Sequence, residues 1–418
     1  MRHQTTGIFV NYLFLDMNSY FASVAQQEEP YLQGRPVGIV TVDKPGACCI
    51  AASYEAKRLG IGVGTRKAEA RELCPDIEFR EAKHDLYVDY HHQIRTAMEQ
   101  VHPVEKAHSV DEFAIKLLGT ARRLETAISI AEAMRSSITT QVGEAMRCSI
   151  GLGSSKLLAK MAGEMKKPDG LEWLTPEVMP DKLRNFELSA LPGIGKRMEK
   201  RLINAGITDI GELYKLQPKH GRKLWNSVNG ERFILALHGH DIPDPVTSPH
   251  SLGHGQILSS GNRTANGARL VARRLLIKAA TRLRRGMFFT NHLYLSCKDV
   301  EGNKRSISQT IPATQDTFDL LHHFSQLWPE LSVEKPGSVG VMLGGLTDQN
   351  QHTADLFETR PGSGLSTGRE KLCAAVDALN QRYGQDTIIY GEKPKEITPY
   401  TGAKIAFGRI PGREEFRD

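Results

Sequence analysis

The chain has only six cysteines in 418 residues, Cys48, Cys49, Cys74, Cys148, Cys297 and Cys373, and no two form a CxxC pair. Such scatter argues against a zinc site or a disulfide framework and points to reduced, buried thiols in the cytoplasm. No apolar run is long enough to span a bilayer, so no membrane partner is expected. The apolar stretch Ile8–Leu15 contains Asn11 and runs straight into Asp16, a pattern unlike a signal peptide. There is no internal repeat of solenoid length. Acids are missing over a long interval: no Asp or Glu occurs between Asp244 and Asp299.

What is present is ordinary in bulk and specific in detail. Hydrophobic content of 40% and charged content of 24% are those of a globular protein. The length suits two to four domains, and the net charge of +6 permits a polyanionic partner. Ile8–Leu15 reads as a buried strand. "HDIPDPVTSPHS", residues 240–251, carries three prolines and reads as a linker. An α+β unit follows over 252–347, with a long basic helix at 264–286. The remainder, 348–418, opens polar and holds one plausible helix at 369–383.

The stretch "HSVDEFAI" (108–115) has strand composition but sets Asp111 and Glu112 side by side. Successive strand residues point to opposite faces, so both acids reach one place only if the strand twists, bulges or ends there. Asp16 closes the buried run Ile8–Leu15. Three acids at the ends of neighbouring strands would form a hard-oxygen site suited to Mg²⁺, and two such ions can drive an in-line phosphoryl displacement.

Six motifs occur in order: "LFLDMNSYFASV", "AASYEAKRLGIGVGT", "LCP", "SVDEF", "SIGLGSSKLLAKMAGEMKKPDG" and "LPGIGKRMEKRL". Together they resemble the Y-family of lesion-bypass DNA polymerases, of the bacterial DinB and UmuC type. The likeness runs from about Leu13 to about Asp348 and is strongest before residue 205. It implies an α+β right-hand fold. A split βαβ palm would span 1–19 and 84–174, fingers 20–83, a helical thumb 175–239, the linker 240–251, a little-finger domain 252–347, and a tail 348–418. It also implies two Mg²⁺ ions held by Asp16, Asp111, Glu112 and the backbone carbonyl of Met17. The reaction implied is template-directed nucleotide transfer from a dNTP to a primer.

In the family, the second aromatic of the Tyr20–Phe21 pair excludes a 2′-hydroxyl, which makes Phe21 the sugar gate and Tyr20 a packing residue. Tyr54 and Lys57 share a helix face where the family has Tyr and Arg on the triphosphate. Here either Lys57 or the adjacent Arg58 serves, Lys57 being favoured; lysine loses the bidentate fork of arginine. The helix in 154–170 is expected to be capped by Ser154, and Lys167, just before Pro168, is placed by the resemblance on the β- and γ-phosphates. Lys156, Lys160 and Lys166 read as a solvated face.

"LPGIGKRMEKRL" resembles a helix–hairpin–helix in which Gly193 and Gly195 let the backbone approach a phosphate and Lys196 adds charge. On the basic helix, Arg269, Arg273, Arg274 and Lys278 are expected on the phosphate backbone. The strand "NHLYLSCK" would pack one face and offer the other to DNA. "TADLF" (353–357) partly matches the sliding-clamp pentapeptide at Asp355, Leu356 and Phe357; a plain linker or a last strand remains the alternative. The partners implied are primer–template DNA, dNTP, the sliding clamp and other damage-response proteins. Two other classes compete: a non-catalytic repair accessory, which would have lost the acids, and a nucleotidyl cyclase, which would not need the DNA-holding motifs.

Overall fold

The computed structural model describes residues 7–352, 363–392 and 410, apart from Pro45, Val246, Thr247, Ser332 and Gln385. The chain divides into two compact units, and the division falls between Asp244 and Pro245, inside the proline-rich stretch. Among the described residues no helix is long and apolar enough to cross a membrane.

The first unit runs β1 (Tyr12–Met17), α1 (Tyr20–Glu28), β2 (Val37–Val40), β3 (Cys49–Ala52), α2 (Tyr54–Arg58), α3 (Lys67–Leu73) and β4 (Glu78–Glu81). Then come α4 (His84–Glu99), β5 (Lys106–Ala107), β6 (Glu112–Lys116), α5 (Leu124–Gln141), β7 (Cys148–Gly153), α6 (Lys156–Glu164) and β8 (Leu171–Leu174). Four helices close it: α7 (Lys196–Asn204), α8 (Ile210–Tyr214), α9 (Pro218–Trp225) and α10 (Val228–Leu237). The main sheet has the order β5-β6-β1-β7-β8, with β1 central and antiparallel to both neighbours.

Strand alternation sorts the side chains of β1 and β6. Leu13, Leu15, Met17, Phe113 and Ile115 enter the core that Ile94 and Met98 of α4 and Ala131 and Met134 of α5 complete. Tyr12, Phe14 and Ala114 take the other face and pack with Ala159 of α6. Glycine sets the distance of α6 from the sheet. A Cβ at Gly151 would lie 2.0 Å from the Ala159 carbonyl oxygen, and one at Gly153 would lie 2.3 Å from the Ala159 nitrogen. Ser155, not Ser154, caps α6: its Oγ accepts from Leu158 N at 3.1 Å. Ser154 N still bonds Leu174 O, so the chain leaves the sheet one residue later than expected. A three-stranded sheet, β3-β2-β4, surrounds a small core of Val40, Cys49, Ala52 and Ile61. The closing helices gather around Leu191, Leu202, Leu213 and Ile234.

The second unit runs β9 (Ser251–Ile257), α11 (Ala265–Arg285), β10 (Phe288–Asp299), β11 (Lys304–Thr314), α12 (Thr317–Leu327), β12 (Pro336–Gly344), β13 (Thr347–Asp348) and α13 (Ser363–Tyr383). Its sheet has the order β11-β10-β12-β9. Helices α11 and α12 bury Leu275, Leu276 and Phe324 against Leu293, Leu295 and Val341. The described part of 348–418 is no loose tail. Cys373 and Val376 of α13 form a small core with Tyr390, packed by Ile277 of α11 and Leu321 of α12. So few apolar anchors gave the sequence pattern little to reveal.

Candidate active site and nucleic-acid interface

Asp16, on β1, stands directly opposite Glu112, the first residue of β6. Directly opposed residues of an antiparallel pair share a face, so these two carboxylates point the same way. Asp111 precedes the strand, and its carbonyl accepts the Met17 N–H at 2.9 Å, which keeps it beside the end of β1. The opposite-face conflict is resolved by starting the strand between the two acids. Glu112 is thus the register partner of Asp16, and Asp111 is the neighbour off the ladder. Burial pushes the Asp16 carboxyl up to about 7, with Lys167 pulling it down and Asp111 adding to the rise. Burial likewise raises Asp111, with the Ser109 hydroxyl opposing and Glu112 reinforcing the shift.

Two lysines meet these acids. Lys160 of α6 places Nζ 2.6 Å from Glu112 Oε1 and 5.1 Å over the Phe14 ring. Lys167 places Nζ 2.8 Å from Asp16 Oδ1 and 2.7 Å from Glu164 Oε1. Burial works against the Lys167 charge, but Asp16 and Glu164 hold its pKa above the ordinary value. The solvated role expected of Lys160 is therefore corrected: the close approach of α6 to β7 carries it over the acid face. The turn after Lys167 is fixed to the end of β1 by residues that sequence reasoning gave no role. Asn18 Nδ2 donates to Asp169 Oδ1 at 3.0 Å, Ser149 Oγ donates to Asn18 Oδ1 at 2.9 Å, and Arg147 pairs with Asp169 at 3.2 Å.

Among the described residues no three His, Cys, Asp or Glu side chains stand as a ready-made metal cage. Asp16, Asp111 and Glu112 instead meet Lys167, Ser109 and Lys160. Their chemistry still fits Mg²⁺. They are hard oxygen donors, and ammonium groups rest on two of them.

Tyr54 and Lys57 lie on α2, with the Lys57 Nζ 4.4 Å over the Tyr54 ring. Burial and then the Lys167 charge lower the Lys57 pKa, with Asp16 and Glu164 opposing. Tyr54 is raised by burial, and the charges of Lys167 and Asp16 act on it too. Lys57, Tyr54, Lys167 and Asp16 therefore form one electrostatic neighbourhood. Phe21 is half-buried and stacks on Tyr87 at 4.0 Å. Tyr20 is buried, its hydroxyl donating to the Tyr87 carbonyl at 2.6 Å.

Comparison with known proteins decides the family. Residues 15–164 match the impB/mucB/samB family, and residues 249–356 match the impB/mucB/samB family C-terminal domain. A DNA polymerase IV of Moorella thermoacetica is 34% identical, the match covering 95% of this chain and 98% of that protein. One from Pelotomaculum thermopropionicum is 31% identical, over 90% of this chain and 94% of its own. The chain belongs to the Y-family of DNA polymerases. The fold agrees. A solved Y-family DNA polymerase chimera of Dbh and Dpo4 superposes with a TM-score of 0.66 at 18% identity, covering 81% of this chain and 99% of that one.

This Y-family chain offers two surfaces that suit a polyanion. Helix α7 opens at Gly195, which has no side chain to cap the first amides, and Gly193 before it has φ +96°, a left-handed value that favours glycine. Lys196, Arg197 and Lys200 on it are exposed. In the second unit, register and alternation put His292, Tyr294, Ser296 and Lys298 of β10 beside Thr310, Ser308, Ser306 and Lys304 of β11, away from the buried Leu293, Leu295 and Cys297. That face is small, polar and cationic.

Helix α11 departs from expectation. Arg269 pairs with Glu392 at 3.2 Å and Arg274 with Asp386 at 3.5 Å, while Arg273 Nη1 donates to the Glu392 carbonyl at 3.5 Å. Three cations expected on DNA thus face the chain's own C-terminal segment; their counter-charges lie far outside the acid-free interval. Lys278 lies on the same helix and acts on His254. Asp355, Leu356 and Phe357 lie outside the described residues.

Proposed function

We infer that the chain is a template-directed DNA polymerase that extends a primer past damaged DNA, joining the primer 3′-hydroxyl to the α-phosphate of a dNTP. The carrying observation is the Asp16–Glu112 pair across β1 and β6 with Asp111 beside it, in a chain of this family. The runner-up, an accessory that keeps only the fold, loses its footing because all three acids are present. A cyclase leaves the helix–hairpin–helix motif without a purpose.

Asp16, Asp111, Glu112 and the Met17 carbonyl would hold Mg²⁺, which when bound supplies charge stabilisation at the reacting oxygens. Lys167, Lys57 and Tyr54 would meet the triphosphate, Lys167 exchanging its carboxylate partners for phosphate oxygens. Lysine at 57 gives a point charge without a fork. Phe21, backed by Tyr87, would stand against the sugar. Gly193, Gly195 and Lys196 would hold the duplex backbone through amides and charge, and the polar face of β10 and β11 would add a second, sequence-independent hold. Asp355, Leu356 and Phe357 are proposed as a clamp tether. Six free cysteines support a reducing cytoplasm.

The deciding test is primer extension on a primed template with dNTPs and Mg²⁺. The wild type extends; Asp16→Ala loses about three orders of magnitude of rate while still binding template in a mobility-shift assay. A wild type that binds template but never extends it refutes the polymerase assignment. Phe21→Ala should admit ribonucleotides, removing a steric exclusion worth about 1–3 kcal/mol; unchanged dNTP-over-NTP preference would remove Phe21 as the gate.

A further inference from the structure

The arginines of α11 take their counter-charges from about one hundred residues downstream. The anchor is Arg284, whose side chain is only 8% exposed. Its Nε donates to Asp377 Oδ2 at 2.7 Å and its Nη2 to Asp377 Oδ1 at 3.0 Å, a two-pronged pair. Thr281 Oγ1 donates to the same carboxylate at 2.9 Å. The remaining nitrogen, Nη1, reaches the Gln315 carbonyl at 2.8 Å and Thr317 Oγ1 at 2.9 Å. From this anchor the C-terminal segment runs back toward the start of α11. Asp386 meets Arg274, and Glu392 meets Arg273 and Arg269. Between these polar contacts, Tyr390 is buried with Cys373 and Val376 and meets Phe318 edge-on at 5.3 Å.

We propose that the arginine face of α11 is a docking surface for an acidic peptide, that its occupant is this chain's own residues 373–384 and 386–392, and that the occupant keeps Arg269, Arg273 and Arg274 off nucleic-acid phosphates. The two ends of the contact differ in kind. Arg284–Asp377 is buried and saturated, so breaking it leaves an uncompensated charge. The outer pairs are longer and involve side chains with 31–73% exposure, so each is weak by itself. They persist because the anchor keeps the acids at high local concentration. A polyanion reaching α11 would have to compete with tethered carboxylates. DNA grip in this unit then falls to the polar sheet face, and the basic helix contributes only when the segment's charge is removed.

The proposal uses DNA as its probe and so rests on the polymerase reading; heparin, a generic polyanion, separates the two. Full-length wild type, Asp386→Asn/Glu392→Gln, Arg269→Gln/Arg273→Gln/Arg274→Gln and the combined variant are compared for duplex affinity against NaCl concentration and for elution from heparin. The acid-neutralised variant should bind duplex about three- to ten-fold tighter at low salt. Its log–log salt slope should steepen by about one to two units, since each added phosphate contact contributes about 0.9. That gain should vanish in the combined variant, and the arginine variant alone should stay within about twofold of wild type. An arginine variant that loses affinity and about two units of slope overturns the proposal. So does an acid-neutralised variant that gains nothing, or a gain that survives in the combined variant and so reflects net charge alone. If heparin elution shifts as expected while no variant binds duplex, the docking surface stands and the polymerase reading falls.

Discussion

Charge is paired in opposite senses in the two units. In the first, acids at the ends of β1 and β6 are met by lysines from α6 and the turn after it. In the second, arginines of α11 are met by acids of the C-terminal segment. The partners are far apart in sequence in both cases, 151 residues for Asp16–Lys167 and 123 for Arg269–Glu392. Exposure separates them: Asp16 is 14% exposed at its side chain and Glu392 73%. A charge that has lost its water depends on its partner far more than one that has kept it. Disturbing the first set should therefore change chemistry by orders of magnitude, and disturbing the outer pairs of the second should change binding by small factors.

After the loss of Asp16 itself, the largest effect expected comes from moving α6 as a body. In Gly151→Ala the new methyl would meet the Ala159 carbonyl oxygen at 2.0 Å and the Gly163 nitrogen at 2.3 Å, both backbone atoms that cannot swing aside. Overpacking of this kind costs about 1–3 kcal/mol, and any relief shifts Lys160 and Lys167 off their acids together. Extension should fall about a hundredfold, because an ångström of misplacement can cost that much, with a lowered melting temperature by calorimetry. A variant that melts lower yet extends normally would show that the lysines need no such positioning.

Lys160→Met isolates one pair. The ammonium and a divalent ion compete for the same Glu112 oxygens, so removing the ammonium should lower the half-saturating Mg²⁺ concentration several-fold. Lys160→Arg, which keeps the cation, should restore most of the wild-type Mg²⁺ requirement. Direct Mn²⁺ titration followed by paramagnetic relaxation checks the affinity change without any turnover. Unchanged metal affinity would make the Glu112–Lys160 pair no more consequential than the exposed pairs of α11.

Much of the first unit was legible because its motifs are local and chemically constrained. An acid ending an apolar run marked Asp16 and a doubled acid in strand composition marked Asp111 and Glu112, while the family resemblance, not the residue pattern, singled out Lys167. Lys160 was missed because a lysine on an amphipathic helix carries no sign of what lies across from it; only the glycines of β7, read as a close approach of backbone, could have hinted at it. The partners of the basic helix were hidden for a related reason. Its acid-free interval is real, but sequence distance does not limit which acids fold back onto it. Asp377, Asp386 and Glu392 sit in a segment with three core anchors, too few for a periodic pattern to announce docking.

The smallest effect expected sharpens the comparison at a site where cations meet a neutral group instead of an acid. His254 of β9 lies against α11, its Nε2 3.2 Å from Arg282 Nη1. Burial, then the charges of Arg282 and Lys278, push its pKa down to about 3. The unfolded chain therefore binds a proton at His254 near pH 6.5 while the folded chain stays neutral. Between those values the unfolded state holds more protons, so stability rises with pH and is lost as pH falls. By pH 5 the loss from this one group is up to about 2 kcal/mol, a melting shift of a few degrees. His254→Gln keeps an acceptor for Arg282 and removes the titration, so its melting temperature should change less than the wild type's between pH 7.5 and pH 5. Equal slopes for the two proteins would mean that water reaches His254 and that the cations around it are as well solvated as Arg269.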